Sequence, residues 1–103
     1  MAKVIEKDGV LTLKLSALEK IGALHGDISV ARNQLVAKTE VPNPWTRKYL
    51  RGFRAPGTGF PFLIMLGTMR FKGGKDFCAI YKRTPAVIYE FADASFKRWV
   101  VSI

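Results

Sequence analysis

The chain has 103 residues, of which 49% are hydrophobic, and a formal net charge of +9 at pH 7. A chain of this length builds one hydrophobic core, so we predict a single domain over residues 1–103. Its longest uninterrupted apolar run, residues 60–67, is much shorter than the about 20 residues that a membrane-spanning helix needs. The sequence therefore predicts a soluble or peripheral protein and argues against one that spans a membrane with helices.

The cysteine content and the first residues indicate the compartment. The one cysteine, Cys78, has no partner for an internal disulfide. The opening residues MAKVIEKDG are charged where a signal peptide would be apolar. We therefore expect a cytoplasmic protein, with peripheral association to a membrane as a further expectation.

The chain opens with the pattern of a β-hairpin. Residues 3–6 and 10–15 flank the turn Lys7-Asp8-Gly9, and the second run alternates apolar and polar residues. Ser16 and Glu19 then have the spacing of a capping box, which predicts a short helix or a helical loop over residues 16–25 that ends near Gly26. One face of that helix is apolar and consists of Leu18, Ile21 and Leu24.

The rest of the chain predicts mostly strands, since turn signals separate short apolar or alternating runs and no long amphipathic helix intervenes. These strands are expected over residues 28–31, 35–41, 62–71, 76–81, 86–91 and 97–103. The composition of residues 45–50 is compatible with one helical turn. The pattern predicts a mainly β domain of about seven to eight strands, arranged as an antiparallel meander that closes on itself or stacks as two sheets.

Two details of the second half are specific enough to check. The pair Gly73-Gly74 has the composition of a two-residue hairpin turn, with Phe71 opposite Lys75. Cys78 lies in the middle of a strand, where a small buried side chain is expected.

The positive charge is concentrated in the second half of the chain. Residues 1–44 hold six Lys and Arg against five Asp and Glu, whereas residues 45–103 hold eleven against three. A basic segment without acids contains Arg47, Lys48, Arg51 and Arg54. Its last part, together with Pro56, Gly57 and Gly59, predicts an irregular basic loop at one end of the sheet. Such a segment suits phosphate-bearing partners, either lipid headgroups or nucleic acid, although excess positive charge also serves solubility alone.

Residues for catalysis or for a cofactor are sparse. His25 and Cys78 are single residues far apart in the sequence, which argues against a Cys/His pair and against a tetrahedral metal site. The PGTG segment at residues 56–59 lacks the Lys-Ser/Thr ending of a phosphate-binding P-loop. We therefore predict a non-enzymatic protein without a cofactor or a metal.

Four segments resemble one known family. The runs RGFRAPGTGFP, LGTMRFKGGKDF, PAVIYEF and RWVVSI, all between residues 51 and 103, are similar to segments of the bacterial pleckstrin-homology-like (PH-like) domains, a family without an assigned activity. The resemblance implies a strongly bent antiparallel β-roll of seven or eight strands. It supplies no agreed ligand and no catalytic residues.

The chain departs from this family at its end. PH-like domains ordinarily follow the last strand with a helix that covers one end of the roll, whereas this sequence stops at Ile103. Without that helix, we expect Trp99, Val101 and Ile103 to be uncovered, and a patch of that kind usually marks an interface. Three alternatives would supply the cover for these three residues: self-association, a partner element, or the remainder of a longer gene product.

Three functions fit these features. The leading one is a binding module that recognises anionic lipid headgroups or a membrane surface through Arg47, Lys48, Arg51 and Arg54. The second is a module for protein interaction or self-assembly. The third, a small nucleic-acid-binding β-barrel, is less favoured because it requires two or three exposed aromatic residues among basic ones on one sheet face.

Overall fold

The computed structural model describes residues 2–46, 50, 52–60 and 63–103, with the backbone alone described for residues 53–56. The fold is mainly β and has one short helix, α1 (Ala17–Ala23), and a 3-10 turn at Arg32–Gln34. The strands are β1 (Lys3–Lys7), β2 (Val10–Lys14), β3 (Ile28–Ala31), β4 (Leu35–Val41), β5 (Phe53–Phe60), β6 (Ile64–Phe71), β7 (Gly74–Tyr81), β8 (Ala86–Phe91) and β9 (Arg98–Ser102).

The first three strands form a small antiparallel sheet in the order β1-β2-β3. The turn between β1 and β2 consists of Asp8 and Gly9, which have φ angles of +53° and +76°. Positive φ at both residues is the geometry of a type I′ turn, which Asp-Gly favours and which matches the twist of the flanking strands. The predicted opening hairpin is confirmed.

The helix α1 begins at the predicted capping box. The backbone N–H of Glu19 donates to Ser16 Oγ at 3.2 Å, and the backbone N–H of Ser16 donates to Glu19 Oε1 at 2.8 Å. The helix ends before Gly26, because Leu24 takes the left-handed conformation at the C-cap. The predicted short helix is therefore confirmed, and its last residue, Ala23, lies two residues before the predicted end at residue 25.

The larger sheet has six strands in the order β4-β8-β9-β7-β6-β5. Its neighbouring strands pair antiparallel except β7 and β9, which pair parallel. The prediction of consecutive antiparallel strands is wrong at this point, because β9 lies between β7 and β8. In the described part of the chain the two sheets remain separate and do not close into a barrel.

The predicted basic loop over residues 51–59 is mostly a strand, β5, which pairs with β6. The register of that pair shifts between Arg54 and Gly57, as at a β-bulge. A Cβ at Gly57 would lie 2.4 Å from the carbonyl oxygen of Leu66. Gly57 therefore allows β5 to lie close to β6, whereas the sequence predicted that this glycine forms a turn in a loop.

The hairpin between β6 and β7 turns one residue earlier than predicted. Phe71 pairs with Gly74, so the two turn residues are Lys72 and Gly73, and Lys75 is opposite Arg70. Gly73 has a φ of +102°, a value that favours glycine. The hairpin is confirmed, and the register that placed Phe71 opposite Lys75 is wrong by one residue.

The larger sheet carries a core on each face. Phe77, Ala79 and Trp99 belong to a cluster that fills the space between the two sheets. Cys78 and Ile80 belong to a second cluster on the opposite face, as expected from the alternation of side chains along a strand. Cys78 is fully buried, which confirms its predicted inward orientation.

The last strand, β9, is buried along its whole length. Trp99 has no exposed surface and packs against Phe91 with ring centroids 4.6 Å apart, and Val101 is 5% exposed. The expectation that Trp99 and Val101 are uncovered is therefore wrong, because β9 is an interior strand that β7 and β8 flank on its two sides. Ile103, at 61% exposed, is the one residue of the three that remains accessible.

Candidate functional site

The basic segment that the sequence predicts to bind a ligand lies largely outside the described residues. Arg47, Lys48 and Arg51 are outside them, and Arg54 is described by its backbone, which pairs with Met69 in β5 and β6. The assignment of these four residues as a ligand-binding site stays a prediction.

The described neighbours of the segment show where it begins. The indole N–H of Trp45 donates to the carbonyl of Lys82 at 2.6 Å, and both Trp45 and Leu50 pack against the second core cluster. The backbone N–H of Leu50 donates to the carbonyl of Thr46 at 2.8 Å; residues 47–49 of the predicted helical turn lie outside the described residues. The basic segment therefore starts beside the turn between β7 and β8.

Two turns of the larger sheet meet at this place. The backbone N–H of Lys82, in the β7–β8 turn, donates to the carbonyl of Leu63 at 2.8 Å. The backbone N–H of Leu63 in turn donates to the carbonyl of Phe60 at 3.0 Å across the β5–β6 turn. These two bonds fix the tip of the β5–β6 hairpin next to the start of the β7–β8 turn.

Large apolar side chains are exposed around these turns. Phe60 is 60% exposed and Leu63 is 63% exposed, while Leu18 and Ile21 on the outer face of α1 are 81% and 70% exposed. The helix is held beside the hairpin, because Thr58 Oγ1 donates to the carbonyl of Gly22 at 2.7 Å. We call these four side chains, Leu18, Ile21, Phe60 and Leu63, the apolar end.

Positive charge lies next to the apolar end. Lys82 and Arg83 form the β7–β8 turn and are both exposed. Exposed apolar side chains beside cations are typical of proteins that insert shallowly into a membrane interface and of protein interaction surfaces.

Sequence reasoning missed the apolar end. Leu63 lies inside the strand predicted over residues 62–71, and Phe60 lies just before that strand in the same apolar run. The signal that could have placed Leu63 in a turn is Pro61, because proline favours turns and strand ends over interior strand positions.

A mainly apolar cavity of about 250 Å³ lies behind Leu18, between α1 and the larger sheet. The residues that line it are Ser16, Leu18, Glu19, Ile64, Leu66 and Tyr81. Its polar lining residues are Ser16 and Glu19, at the start of α1, and Tyr81, which lies far away in the sequence at the end of β7.

Glu19 and Tyr81 are hydrogen-bonded to each other. Glu19 is 4% exposed, and its Oε2 accepts a hydrogen bond from the Tyr81 hydroxyl, while its Oε1 accepts the bond from Ser16 N. Burial raises the pKa of the Glu19 carboxyl, but the hydrogen bonds from Ser16 and Tyr81 outweigh it and hold that pKa below its ordinary value of 4.5. Burial and the neighbouring carboxylate both raise the pKa of the Tyr81 hydroxyl. At neutral pH the site therefore holds an ionised carboxylate and a neutral phenol.

The structure does not bring the two candidate nucleophilic and basic residues together. His25 packs edge-on against Phe77, with ring centroids 5.6 Å apart, whereas Cys78 belongs to the cluster on the other face of the sheet. No group of three His, Cys, Asp or Glu residues that could hold a metal occurs among the described residues.

A second, polar cavity of about 170 Å³ lies between the two sheets, where Glu6, Arg32, Lys38 and Tyr89 contribute to its lining. Arg32 Nε is 3.2 Å from Glu6 Oε1, and Lys38 Nζ lies 5.5 Å from the centre of the Tyr89 ring. Each of the two cations therefore already has a partner inside the protein.

No family model matches the chain, and neither the curated proteins nor the solved structures gave a significant match. Within the described ranges, no helix has the length and apolar character required to cross a membrane.

Proposed function

We propose that this protein is a non-enzymatic module that binds an anionic membrane surface peripherally from the cytoplasm. Phe60 and Leu63 enter the interface between headgroups and acyl chains, and Lys82 and Arg83 contact lipid phosphates. The observation that carries the proposal is the exposure of Phe60 and Leu63 at a hairpin tip that backbone hydrogen bonds hold beside a basic turn.

The magnitudes favour weak, reversible binding that needs both features. Burial of an exposed Phe or Leu side chain contributes roughly 1.5–3 kcal/mol, and each cation at an anionic surface contributes about 1 kcal/mol. Neither contribution alone gives stable attachment, which commonly requires two signals. We infer that the basic segment with Arg47, Lys48, Arg51 and Arg54 supplies further cations, because it starts beside the same turn.

The described aromatic residues support a membrane over a nucleic acid. Among the aromatic side chains that the structure describes, Phe60 alone is exposed, and it stands at a turn. A stacking platform for single-stranded nucleic acid needs several aromatic side chains on one sheet face.

We further propose, from the resemblance of its sequence segments, that the fold is PH-like. A bent β scaffold that presents loops and turns at one end fits a binding module. The parallel pairing of β7 with β9 departs from the wholly antiparallel roll that the resemblance implies.

The proposal is tested by flotation with phosphatidylcholine vesicles that contain, or lack, phosphatidylglycerol. The substitutions Phe60→Ser and Leu63→Ser together should weaken binding to the anionic vesicles at least about tenfold, because roughly 1.4 kcal/mol or more of burial is lost. The matched control is Val36→Ser, which changes an apolar residue of similar exposure, 69%, on the opposite edge strand β4 and should have little effect.

A second pair of variants tests the charge. Lys82→Gln with Arg83→Gln should weaken binding more at low salt than at high salt, because salt screens exposed charges. Lys7→Gln with Lys38→Gln removes the same charge from β1 and β4 and should weaken binding less.

Equal binding of the wild type to neutral and anionic vesicles, or no binding to either, would overturn the proposal. Parallel titrations with single-stranded and duplex nucleic acid cover the alternative polyanion. Sedimentation without vesicles tests whether the apolar end joins two copies of the chain, since a loss of dimer in the Phe60 and Leu63 variant would assign this surface to self-association.

A further inference from the structure

Three lysines lie together at the end of the larger sheet that is opposite the β5–β6 turn. Lys72 is in the turn between β6 and β7, Lys75 is the second residue of β7, and Lys97 comes directly before β9. The backbone N–H of Lys97 donates to the Lys75 carbonyl at 2.7 Å, so the two residues are neighbours. We call these three residues the lysine cluster.

Two side-chain contacts position the lysine cluster. Lys75 Nζ lies 4.6 Å from the centre of the Phe96 ring, which is buried. The side chain of Lys97 lies over Gly74, where an added Cβ would be 2.9 Å from Lys97 Cγ. Gly74 therefore leaves the space that the Lys97 side chain occupies. Lys72 and Lys97 are exposed and Lys75 is half-buried, so the cluster faces solvent from a backbone that strand pairing holds in place.

The acidic residues leave the charge of the lysine cluster uncompensated. All eight Asp and Glu residues are among the described residues, and their ion pairs there do not include the cluster. The buried Asp76 pairs with Arg98, and Glu90 lies in β8, which β9 separates from β7. Asp93 is in the loop before Lys97 and forms no ion pair with a described residue. The cations that the described ion pairs use are Lys14, Lys20, Arg32 and Arg98.

The chemistry of the lysine cluster favours phosphate groups as its ligands. A lysine ammonium acts as a compact point charge on phosphate, whereas the planar fork of arginine matches a carboxylate better. Nearby aromatic rings do not form a platform for bases, because Phe96 is buried and Phe71 is half-buried. Neither of the two cavities described above includes a residue of the cluster, which favours an extended partner over a small phosphate compound.

A nucleic-acid duplex supplies phosphates at the density that such a surface requires. Its two strands carry together about one negative charge for each 1.7 Å of helix axis. Three neighbouring lysines can therefore contact phosphates at the same time. Contacts of this kind position a protein on a duplex and carry no information about base sequence.

We propose that the lysine cluster binds the phosphate backbone of duplex nucleic acid without reading its sequence. This surface does not depend on the membrane proposal, because the eight residues of β6 place it about 24 Å from the β5–β6 turn at roughly 3.4 Å per residue. That distance exceeds the screening length of about 8–10 Å. A protein attached to a membrane through the apolar end would therefore hold the lysine cluster away from the lipid phosphates.

The test is a fluorescence anisotropy titration of the wild-type protein with labelled DNA duplexes of about 20 base pairs and two unrelated sequences. Both duplexes should bind equally at low salt. The logarithm of the association constant should fall with the logarithm of salt concentration at a slope of about −2.7 or steeper, at roughly −0.9 for each lysine contact. An RNA duplex of one of these sequences is the second arm, and the tighter binder of the two identifies the source of the backbone.

Substitutions locate the binding surface. Lys72→Gln, Lys75→Gln and Lys97→Gln together should weaken duplex binding at least about tenfold at low salt and make the slope shallower by about 2.7. The same positions changed to Arg keep the charge and should keep the binding. Lys3→Gln, Lys7→Gln and Lys38→Gln, the matched control, remove the same charge from β1 and β4 and should weaken binding less. Amide shifts in NMR spectra of the complex should be concentrated on residues 70–75 and 96–98.

Circular dichroism shows whether each variant is folded, and Lys72→Gln with Lys97→Gln, both at exposed positions, keeps the test informative if the triple variant does not fold. The proposal fails if neither duplex binds at low salt, or if the folded variant of the lysine cluster binds as tightly as the matched control does. It also fails if polyglutamate binds as tightly as the duplexes, which would assign the surface to an acidic protein segment. Vesicle binding of the triple variant should change little, so failure here is distinguishable from failure of the membrane proposal.

Discussion

Strand β9 and the apolar end carry side chains of similar hydrophobicity in opposite surroundings. Trp99 and Val101 are buried because β9 has a neighbouring strand on each side and a core cluster on each face. Leu18 and Phe60 are exposed because one lies on the outer face of a helix and the other at a hairpin tip. The position of a residue in the topology, and not its own hydrophobicity, therefore decides whether it stabilises the fold or remains available for a partner.

The largest effect expected from this comparison is on stability. Trp99→Ala should lower the free energy of unfolding by about 3–5 kcal/mol, because it removes a fully buried indole and leaves a cavity. Ile21→Ala, at the apolar end, should change it by less than about 0.5 kcal/mol, as is usual for exposed positions. Denaturant unfolding followed by circular dichroism measures both values.

Equal destabilisation by the two variants would contradict the comparison. It would mean either that the apolar end is covered in solution or that β9 is not an interior strand. Repeating the measurement across protein concentrations separates these cases, because a covered surface in a dimer makes stability depend on concentration.

The second expected effect is on vesicle binding, and it tests whether the basic segment contributes to binding together with the apolar end. Neutralisation of that segment should weaken binding to phosphatidylglycerol vesicles by as much as about 4 kcal/mol at low salt, at roughly 1 kcal/mol for each cation. The substitutions are Arg47→Gln, Lys48→Gln, Arg51→Gln and Arg54→Gln. Vesicle flotation across a salt series measures the change, and the effect should shrink as screening shortens to about 8–10 Å.

The matched control removes the same charge elsewhere. It replaces four exposed lysines, Lys7, Lys38, Lys72 and Lys97, with Gln. If this control weakened binding as much as the variant of the basic segment, net charge alone would explain the attraction. The same two proteins titrated with nucleic acid show whether the segment distinguishes a membrane from another polyanion.

Local sequence signals predicted the elements whose geometry is set by neighbouring residues. The Asp8-Gly9 turn and the Ser16 capping box appear where the sequence placed them, because turn and cap chemistry act over two to four residues. The strand Ala86–Phe91 also has its predicted bounds. Pairing over long distances had no comparable signal, so the insertion of β9 beside β7 was missed. Strand β5 pairs locally with β6 and was missed for a different reason, because its Pro and Gly residues predicted a loop.

The candidate sites were harder to predict for the same reason. Glu19 was identified as a helix cap, but its partner Tyr81 is 62 positions away in the sequence. The exposure of Phe60 and Leu63 follows from where their hairpin ends relative to the sheet, which the apolar run itself does not encode. The basic segment, in contrast, was visible as a local excess of charge.

The smallest expected effect concerns the hydrogen bond from the Tyr81 hydroxyl in β7 to the Glu19 carboxylate in α1. The Glu19 carboxyl has a lower pKa in the folded protein than its ordinary value of 4.5, so the folded state binds fewer protons than the unfolded chain near that pH. The stability contributed by the ionised carboxylate is therefore present above about pH 4.5 and is lost as the pH falls through the folded pKa.

Tyr81→Phe removes one of the bonds that lower the pKa of Glu19 and should lower the free energy of unfolding by about 1.5–3 kcal/mol at neutral pH. Its acid unfolding should consequently be less dependent on pH in this range than that of the wild type. Denaturant unfolding of both proteins between pH 3 and pH 7 measures the difference, and parallel curves would show that the Tyr81 hydroxyl does not stabilise the Glu19 carboxylate.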